Sequence, residues 1–470
     1  MSKLVSKELV RVKKCIDEVN FEDALRYIKD IEKNENVTNE EALRILSYKG
    51  AVSLNLGQFE NALNLAEELY ERSQEMKMPL FSLDALYLKS GCFLWQQRFK
   101  EMYNNLKRHE ELFNAIPKEH SLEYQEREGY FLYMKGGGFS LKGNLDLALD
   151  YFKSSLAIFK HINPQFYPIP TILWSIAYAY QEKGELNLAL EYIEKVLSLL
   201  PKREYFYVKT MKASIYRVRG FIYYKKGNFD TALEYLTLCL DFYEKIDHFM
   251  WMSRPYYWII DVLLKKEDFN QAQNYLQQFK QFNEKHETKD GYLLYQLSHI
   301  LILKSSSRLR ERVEAENLLK KFVDEKPPLD ITNIALIHLC ELYFEEFRLS
   351  SHMEILDDIY LLIDHLQSNA KYQNSYSLLA NVKLLQAKLA LLQINMLEAR
   401  KLLSESQQIA EEHDLQLLAR EISREHDHLL EELKLWESIK KEQASVAERL
   451  KLASLDSTME RLQGKRAIEP

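Results

Sequence analysis

Glu425, His426, Asp427 and His428 carry the side chains of a metal site, but their spacing argues against one. Ligand pairs on a helix need three- or four-residue spacing to share a face, and residues two apart point in different directions. His413 is too far along the chain to complete a set. No metal is therefore expected. Cys15, Cys92, Cys239 and Cys340 are far apart and form no CxxC. They read as small core residues of a reducing compartment. No GxxxxGK[ST] loop, nucleophile elbow, kinase set or dinucleotide fingerprint occurs. The many Glu and Asp read as solvated helix faces. No enzyme activity and no cofactor are expected. What remains is recognition chemistry. The 29 Tyr, 22 Phe and 5 Trp supply rings with a large, rigid, amphipathic contact area. Arg217 and Arg254 suit acidic side chains or a terminal carboxylate.

Those residues need elements to hold them, and composition says which kind. The chain has 470 residues, with only 13 Gly and 10 Pro. Leu, Ala, Glu, Lys and Gln dominate, and these are good helix formers. Aromatics reach 12%, with 29 Tyr. This favours one long helical array over several ordinary domains. The formal net charge of −7 argues against direct nucleic-acid binding, which needs a basic footprint. The first residues, MSKLVSKELVRVKKC, lack the apolar core of a signal peptide, and no run of 18 apolar residues suggests a membrane span. A cytoplasmic protein is expected.

The array is visible as a repeated turn followed by Ala. Asn20-Phe21 leads to Ala24, Gly57 to Ala62, Gly143 to Ala148, Gly184 to Ala189 and Gly227 to Ala232. Weaker copies end at Met102, Ala272 and Ala399. The key Ala recurs about every 40 residues. Each unit reads as a helix, a tight turn and an antiparallel helix. Gly supplies the left-handed cap, Asn or Asp after it starts the next helix, and the Ala lets the two helices close. Gly50, Gly136, Ala177 and Gly220 lie seven before the turn, two helical turns away on the same face. The best copy is Ala213–Leu240. Prolines from Pro79 to Pro328 fall between the expected helices or at their first turns.

This pattern resembles the tetratricopeptide repeat family. Its carriers are Tyr216, Gly220, Tyr223, Gly227, Phe229 and Ala232 in one unit, and Leu173, Ala177, Tyr180, Gly184, Leu186, Ala189 and Pro201 in the unit before. The resemblance spans roughly residues 5–412. The spacing exceeds the family's common 34, which resembles the sensor arrays of large bacterial transcription activators and peptide-responsive regulators. The stretch Leu402–Glu437 is similar to the ends of arrays in archaeal tetratricopeptide proteins. The resemblance implies an all-α, right-handed solenoid of about ten helix pairs, whose first helices line a concave face. It implies that residues ten and six before each turn point inward: Tyr133 and Gly137, Trp174 and Tyr178, Arg217 and Phe221, Tyr257 and Asp261. Tyr130, Tyr224 and Arg254 share that side. A groove for a peptide or protein segment is one reading; rings that only fill space between stacked helices is the other. The family's two-carboxylate clamp needs Asn six before the turn. Ala51, Gly137, Tyr178, Phe221 and Asp261 stand there, so a chaperone-tail role is rejected.

Two features lie outside the pattern. Gly136-Gly137-Gly138 sits inside an expected helix, at about 0.5–1 kcal/mol per glycine relative to Ala. Tight packing against a bulky neighbour such as Trp174 explains it, or close approach of a ligand. Residues 413–470 form a separate C-terminal region. Leu415, Leu418, Ile422, Leu429, Leu433 and Trp436 mark an amphipathic helix. It either caps the array of residues 1–412 or pairs as a coiled coil, with a homodimer as the consequence. The expected function is a non-catalytic interaction scaffold. The alternative is a ligand- or peptide-responsive regulator that signals through the C-terminal helix.

Overall fold

The computed structural model describes residues 2–33, 37–164, 166–202, 206–246, 249–286, 288–350, 352–393, 395–427 and 430. The expectations for His428, Leu429, Leu433, Trp436 and the stretch beyond them lie outside the described residues. Among the described residues all regular structure is helical. In chain order the helices are α1 (Ser2–Asp17), α2 (Phe21–Glu32), α3 (Asn39–Asn55), α4 (Phe59–Glu75), α5 (Pro79–Trp95), α6 (Phe99–Ala115), α7 (Leu122–Leu141), α8 (Leu145–Ile162), α9 (Pro168–Lys183) and α10 (Leu186–Leu199). They continue with α11 (Phe206–Lys225), α12 (Phe229–Lys245), α13 (Ser253–Lys265), α14 (Phe269–His286), α15 (Lys289–Lys304), α16 (Leu309–Asp324), α17 (Leu329–Ser350), α18 (Glu354–Gln373), α19 (Tyr376–Leu392) and α20 (Met396–Glu412). A short 3₁₀ turn at Phe249–Trp251 precedes α13, and residues 416–427 are again helical. Neighbouring helices pair as hairpins, among them α1 with α2, α3 with α4, α5 with α6, α7 with α8, α9 with α10, α13 with α14, α17 with α18 and α19 with α20, in an all-α solenoid fold.

The hairpin turn has one backbone requirement. Gly57, Gly143, Gly184 and Gly227 sit at φ 76°, 81°, 91° and 71°, in the left-handed region. Where copies lack Gly, the same conformation is forced on Val19, Gln97 and Glu267, at φ 57°, 56° and 62°. A Cβ there costs about 1–2 kcal/mol. Glu267 is exposed, so its side chain gives little back. Glu267→Gly is therefore expected to stabilise the α13–α14 hairpin by about 1 kcal/mol, read as a higher unfolding midpoint; an unchanged or lower midpoint contradicts this account. After the turn, Asn144, Asn228 and Asn395 accept the amide hydrogens of Leu147, Thr231 and Glu398, the ordinary start of a helix.

Packing explains the small residues. Ala24, Ala62, Ala148, Ala189, Ala232, Ala272 and Ala399 are all 0% exposed. A Cβ on Gly220 would stand 2.6 Å from Leu236 and 3.3 Å from the Ala232 carbonyl oxygen, so α11 and α12 touch at backbone distance.

The chain divides into two compact units. The first is Met1–Tyr224 with Asn228–Ser298; the second is Lys225–Gly227 with the chain from His299 onward. In the first unit α1, α3, α5, α7 and α9 lie side by side. Hairpins distant in sequence also touch there. Lys13 of α1 pairs with Glu126 of α7 at 2.6 Å, Phe59 meets Phe206 at 6.3 Å, and Trp95 meets Trp251 edge-on at 6.4 Å. In the second unit Lys304, His338 and Glu341 form a charged knot between α15 and α17. Burial pushes the half-buried Glu341 carboxyl up, but the Lys304 ammonium and His338 outweigh it and hold the carboxyl well below its usual range. Leu415, Leu418 and Ile422 are buried, and Lys388 pairs with Glu425 at 3.1 Å.

Candidate recognition surface

The first helices of the hairpins in the first unit set the recognition residues in three clusters. The one nearest the N-terminus is ionic. Arg127 of α7 reaches Asp84 of α5 at 2.7 Å and donates to the Leu80 and Glu123 carbonyl oxygens at 2.9 and 3.0 Å. Arg44 pairs with Glu123 at 3.0 Å. Lys13 lies over Phe166 at 4.4 Å and also reaches Asp17, whose carboxyl burial pushes up to about 6.

The second cluster is phenolic. Tyr87 and Tyr130 rings are 4.2 Å apart, and the Tyr130 hydroxyl donates to that of Tyr167 at 3.3 Å. Tyr207 hydrogen-bonds the Tyr167 carbonyl oxygen at 3.2 Å and the Thr171 hydroxyl at 2.9 Å. Tyr133 packs on Phe152 at 5.8 Å. Burial holds the Tyr87 and Tyr130 phenols well above their usual range and raises those of Tyr133 and Tyr167, so all four stay neutral hydroxyls at neutral pH.

The third cluster joins α9, α11 and α13. Trp174 and Tyr178 stack at 5.7 Å with an interplanar angle of 15°. The Arg217 guanidinium lies over both rings, at 5.9 and 5.4 Å. Phe221 meets Trp258 edge-on at 4.8 Å, while Tyr224 and Tyr257 flank the same indole at 5.5 and 4.9 Å. The Tyr224 hydroxyl donates to Asp261 at 2.7 Å. Arg254, half-buried in the first turn of α13, has partners of its own.

Burial sorts these residues. Tyr257 is 1% exposed, Arg217 and Tyr224 5%, and Asp261 7%. Their side chains lie beneath the surface and hold the others. Tyr130, Tyr133, Trp174, Tyr178, Phe221 and Arg254 are partly exposed. Three further participants were not foreseen. Trp258 is the hub of the third cluster, and Tyr87 and Tyr167 belong to the second. Tyr87 lies ten before Gln97, so counting back from a turn without glycine finds it.

The glycine triplet resolves differently from expectation. A Cβ on Gly136 would strike Phe152 at 2.6 Å, and one on Gly138 would strike Leu106 at 2.8 Å. The close neighbours are these side chains of α8 and α6, not Trp174. Gly137 is different: a Cβ there meets nothing within 4 Å. It occupies the register of Tyr178, Phe221 and Asp261, six before the turn, and leaves bare backbone there.

The MalT-like TPR region family model matches residues 113–415. The chain belongs to the MalT-like tetratricopeptide repeat family. No curated protein is significantly similar in sequence. Solved structures share the fold. A Rap protein complexed with Competence and Sporulation Factor is 16% identical, with a TM-score of 0.57 over 79% of this chain and 100% of that one. The apo quorum sensor NprR from B. thuringiensis is 16% identical, with a TM-score of 0.54 over 77% and 99%. NprR in complex with its cognate peptide NprX is 18% identical, with a TM-score of 0.53 over 77% and 99%. The family's repeat explains why the clusters recur. Equivalent positions of successive tetratricopeptide hairpins carry Tyr87, Tyr133, Trp174, Arg217 and Tyr257. Among the described residues no helix is long and apolar enough to cross a membrane, and no three His, Cys, Asp or Glu side chains gather as a metal site would require.

Proposed function

We propose that the chain is a non-catalytic, cytoplasmic interaction protein that binds a peptide or a short protein segment against the first helices of its first unit. The observation that carries this reading is the bare, unobstructed backbone of Gly137, in the register where the next two hairpins carry the partly exposed Tyr178 and Phe221. An interior helical glycine that no neighbour requires costs about 0.5–1 kcal/mol, and room for a ligand backbone is a reason to keep it. Partly exposed Trp and Tyr rings supply contact area at little entropy cost. The NprR–NprX complex adds support by fold analogy alone. Residues 413–427 are read as a cap of the array, supported by the burial of Leu415, Leu418 and Ile422.

The test is a plug. Gly137→Leu has space to fold and should raise the melting temperature slightly, by helix propensity. It should lower the enrichment of peptides that the wild type selects from a random octapeptide pool by about tenfold or more. Gly136→Leu, which must displace Phe152, should instead destabilise. No enrichment by the wild type, or equal enrichment by Gly137→Leu, would sink the reading. The second reading, a peptide-responsive regulator, is favoured by the fold shared with a quorum sensor. It requires selected peptides to change hydrogen exchange in residues 413–427, which a plain scaffold does not.

A further inference from the structure

Arg217 is 5% exposed, and no carboxylate among the described residues neutralises it. Its Nε has no hydrogen-bond partner. The indole Nε1 of Trp174, in the equivalent position of the preceding first helix, is also buried without a partner. These two N–H donors belong to one cluster, because the guanidinium lies over the Trp174 ring at 5.9 Å. Asp261, the acidic residue of the same cluster, is already engaged: it accepts from Tyr224. The Tyr243 hydroxyl faces the guanidinium, but it is neutral and is bonded to the Ser214 hydroxyl at 3.1 Å. A neutral hydroxyl and cation–π attraction to Trp174 and Tyr178 offset only part of the cost of burying a cation that lacks a counter-charge. Buried polar groups in native proteins are almost always satisfied, so two orphan donors beside one charge need an explanation. The acceptor that fits both is a carboxylate, with two oxygens for two N–H groups and one negative charge for the guanidinium.

We propose that Arg217 Nε and Trp174 Nε1 form a carboxylate subsite that takes an acidic group of the bound peptide. This rests on the peptide-binding reading above. The carboxylate comes either from the peptide's C-terminus or from an Asp or Glu side chain.

Three random octapeptide pools separate the cases by affinity selection on the full chain. One lacks Asp and Glu but has a free C-terminus; one is the same pool amidated; one is amidated but contains Asp and Glu. The wild type should bind the first or the third about 10- to 100-fold better than the second, the worth of a hydrogen bond to a charged group. Preference for the first identifies the terminus, and preference for the third a side chain. Arg217→Gln should reduce the preferred pool to the level of the neutral one without changing the neutral one. Trp174→Phe keeps a ring, loses the N–H, and should weaken the preference about 3- to 10-fold; it serves if Arg217→Gln does not fold. Equal binding of all three pools overturns the subsite and leaves peptide binding standing. A preference that survives in both variants also overturns it. No binding of any pool overturns both proposals.

Discussion

Asp84→Ala is expected to destabilise the first unit by about 3–5 kcal/mol, the usual cost of removing one partner from a buried ion pair. The Arg127 side chain is 8% exposed and that of Asp84 17%, at 2.7 Å. The guanidinium is fixed on three sides: its Nε donates to Leu80, one Nη to Glu123 and the other to Asp84. It cannot swing to solvent when the carboxylate goes, and arginine does not neutralise by losing a proton. The reciprocal change is gentler. Burial already raises the Asp84 carboxyl, with Arg127 pulling it back down. In Arg127→Met that opposing pull is gone, so Asp84 can relieve its isolation by binding a proton, and the loss should shrink as pH falls. Asp84→Leu with Arg127→Met should recover most of the stability, since a hydrophobic pair of similar volume often replaces a buried ion pair without loss. Urea unfolding at pH 7, with hydrogen exchange in α5 and α7, reads all three. A cost below about 1 kcal/mol for Asp84→Ala would show that water reaches the pair and screens it.

The repeat was legible because its chemistry is local. A left-handed turn selects Gly57, Gly143, Gly184 and Gly227, and backbone-close packing selects Ala62, Ala148 and Ala232. Both requirements recur at one period, so the all-α repeat architecture followed. Turns at Val19, Gln97 and Glu267 were harder to read, because tertiary packing imposes a conformation that those side chains resist. The split between Tyr257 and Tyr178 was not legible at all. Both lie at inward register positions, yet Tyr257 is 1% exposed while Tyr178 reaches the surface. That depends on how closely α13 and its neighbours crowd around Trp258, which is a distance between helices and leaves no mark on the period within one. Contacts such as Lys13 to Glu126, 113 residues apart, depend on how the hairpins wind upon each other.

Acid should weaken the first unit through His109, and His109→Leu should remove that part of the weakening. His109 is 1% exposed on the apolar stripe of α6, with its ring 5.2 Å from Phe131, which itself stacks on Phe113 at 4.6 Å. Neither ring nitrogen has a hydrogen-bond partner. Burial alone pulls its pKa from 6.5 down to about 3, because no nearby acceptor or anion favours the imidazolium. In the unfolded chain the same ring titrates near its ordinary value. Between these two pKa values the unfolded state binds more protons, so stability rises with pH. The contribution is complete above about pH 6.5 and is lost as pH falls toward 3. At about 1.4 kcal/mol per pH unit, going from pH 6.5 to 4.5 costs on the order of 3 kcal/mol through this one group. Carboxylates add their own slopes, so the measurement is the difference between wild type and His109→Leu across that range. The variant should be no less stable at pH 7, because it removes two unsatisfied ring nitrogens, each a burden of about 1–3 kcal/mol. It should lead the wild type by a margin that widens as pH falls. Parallel curves for the two proteins would mean that the buried ring takes up its proton without leaving the core.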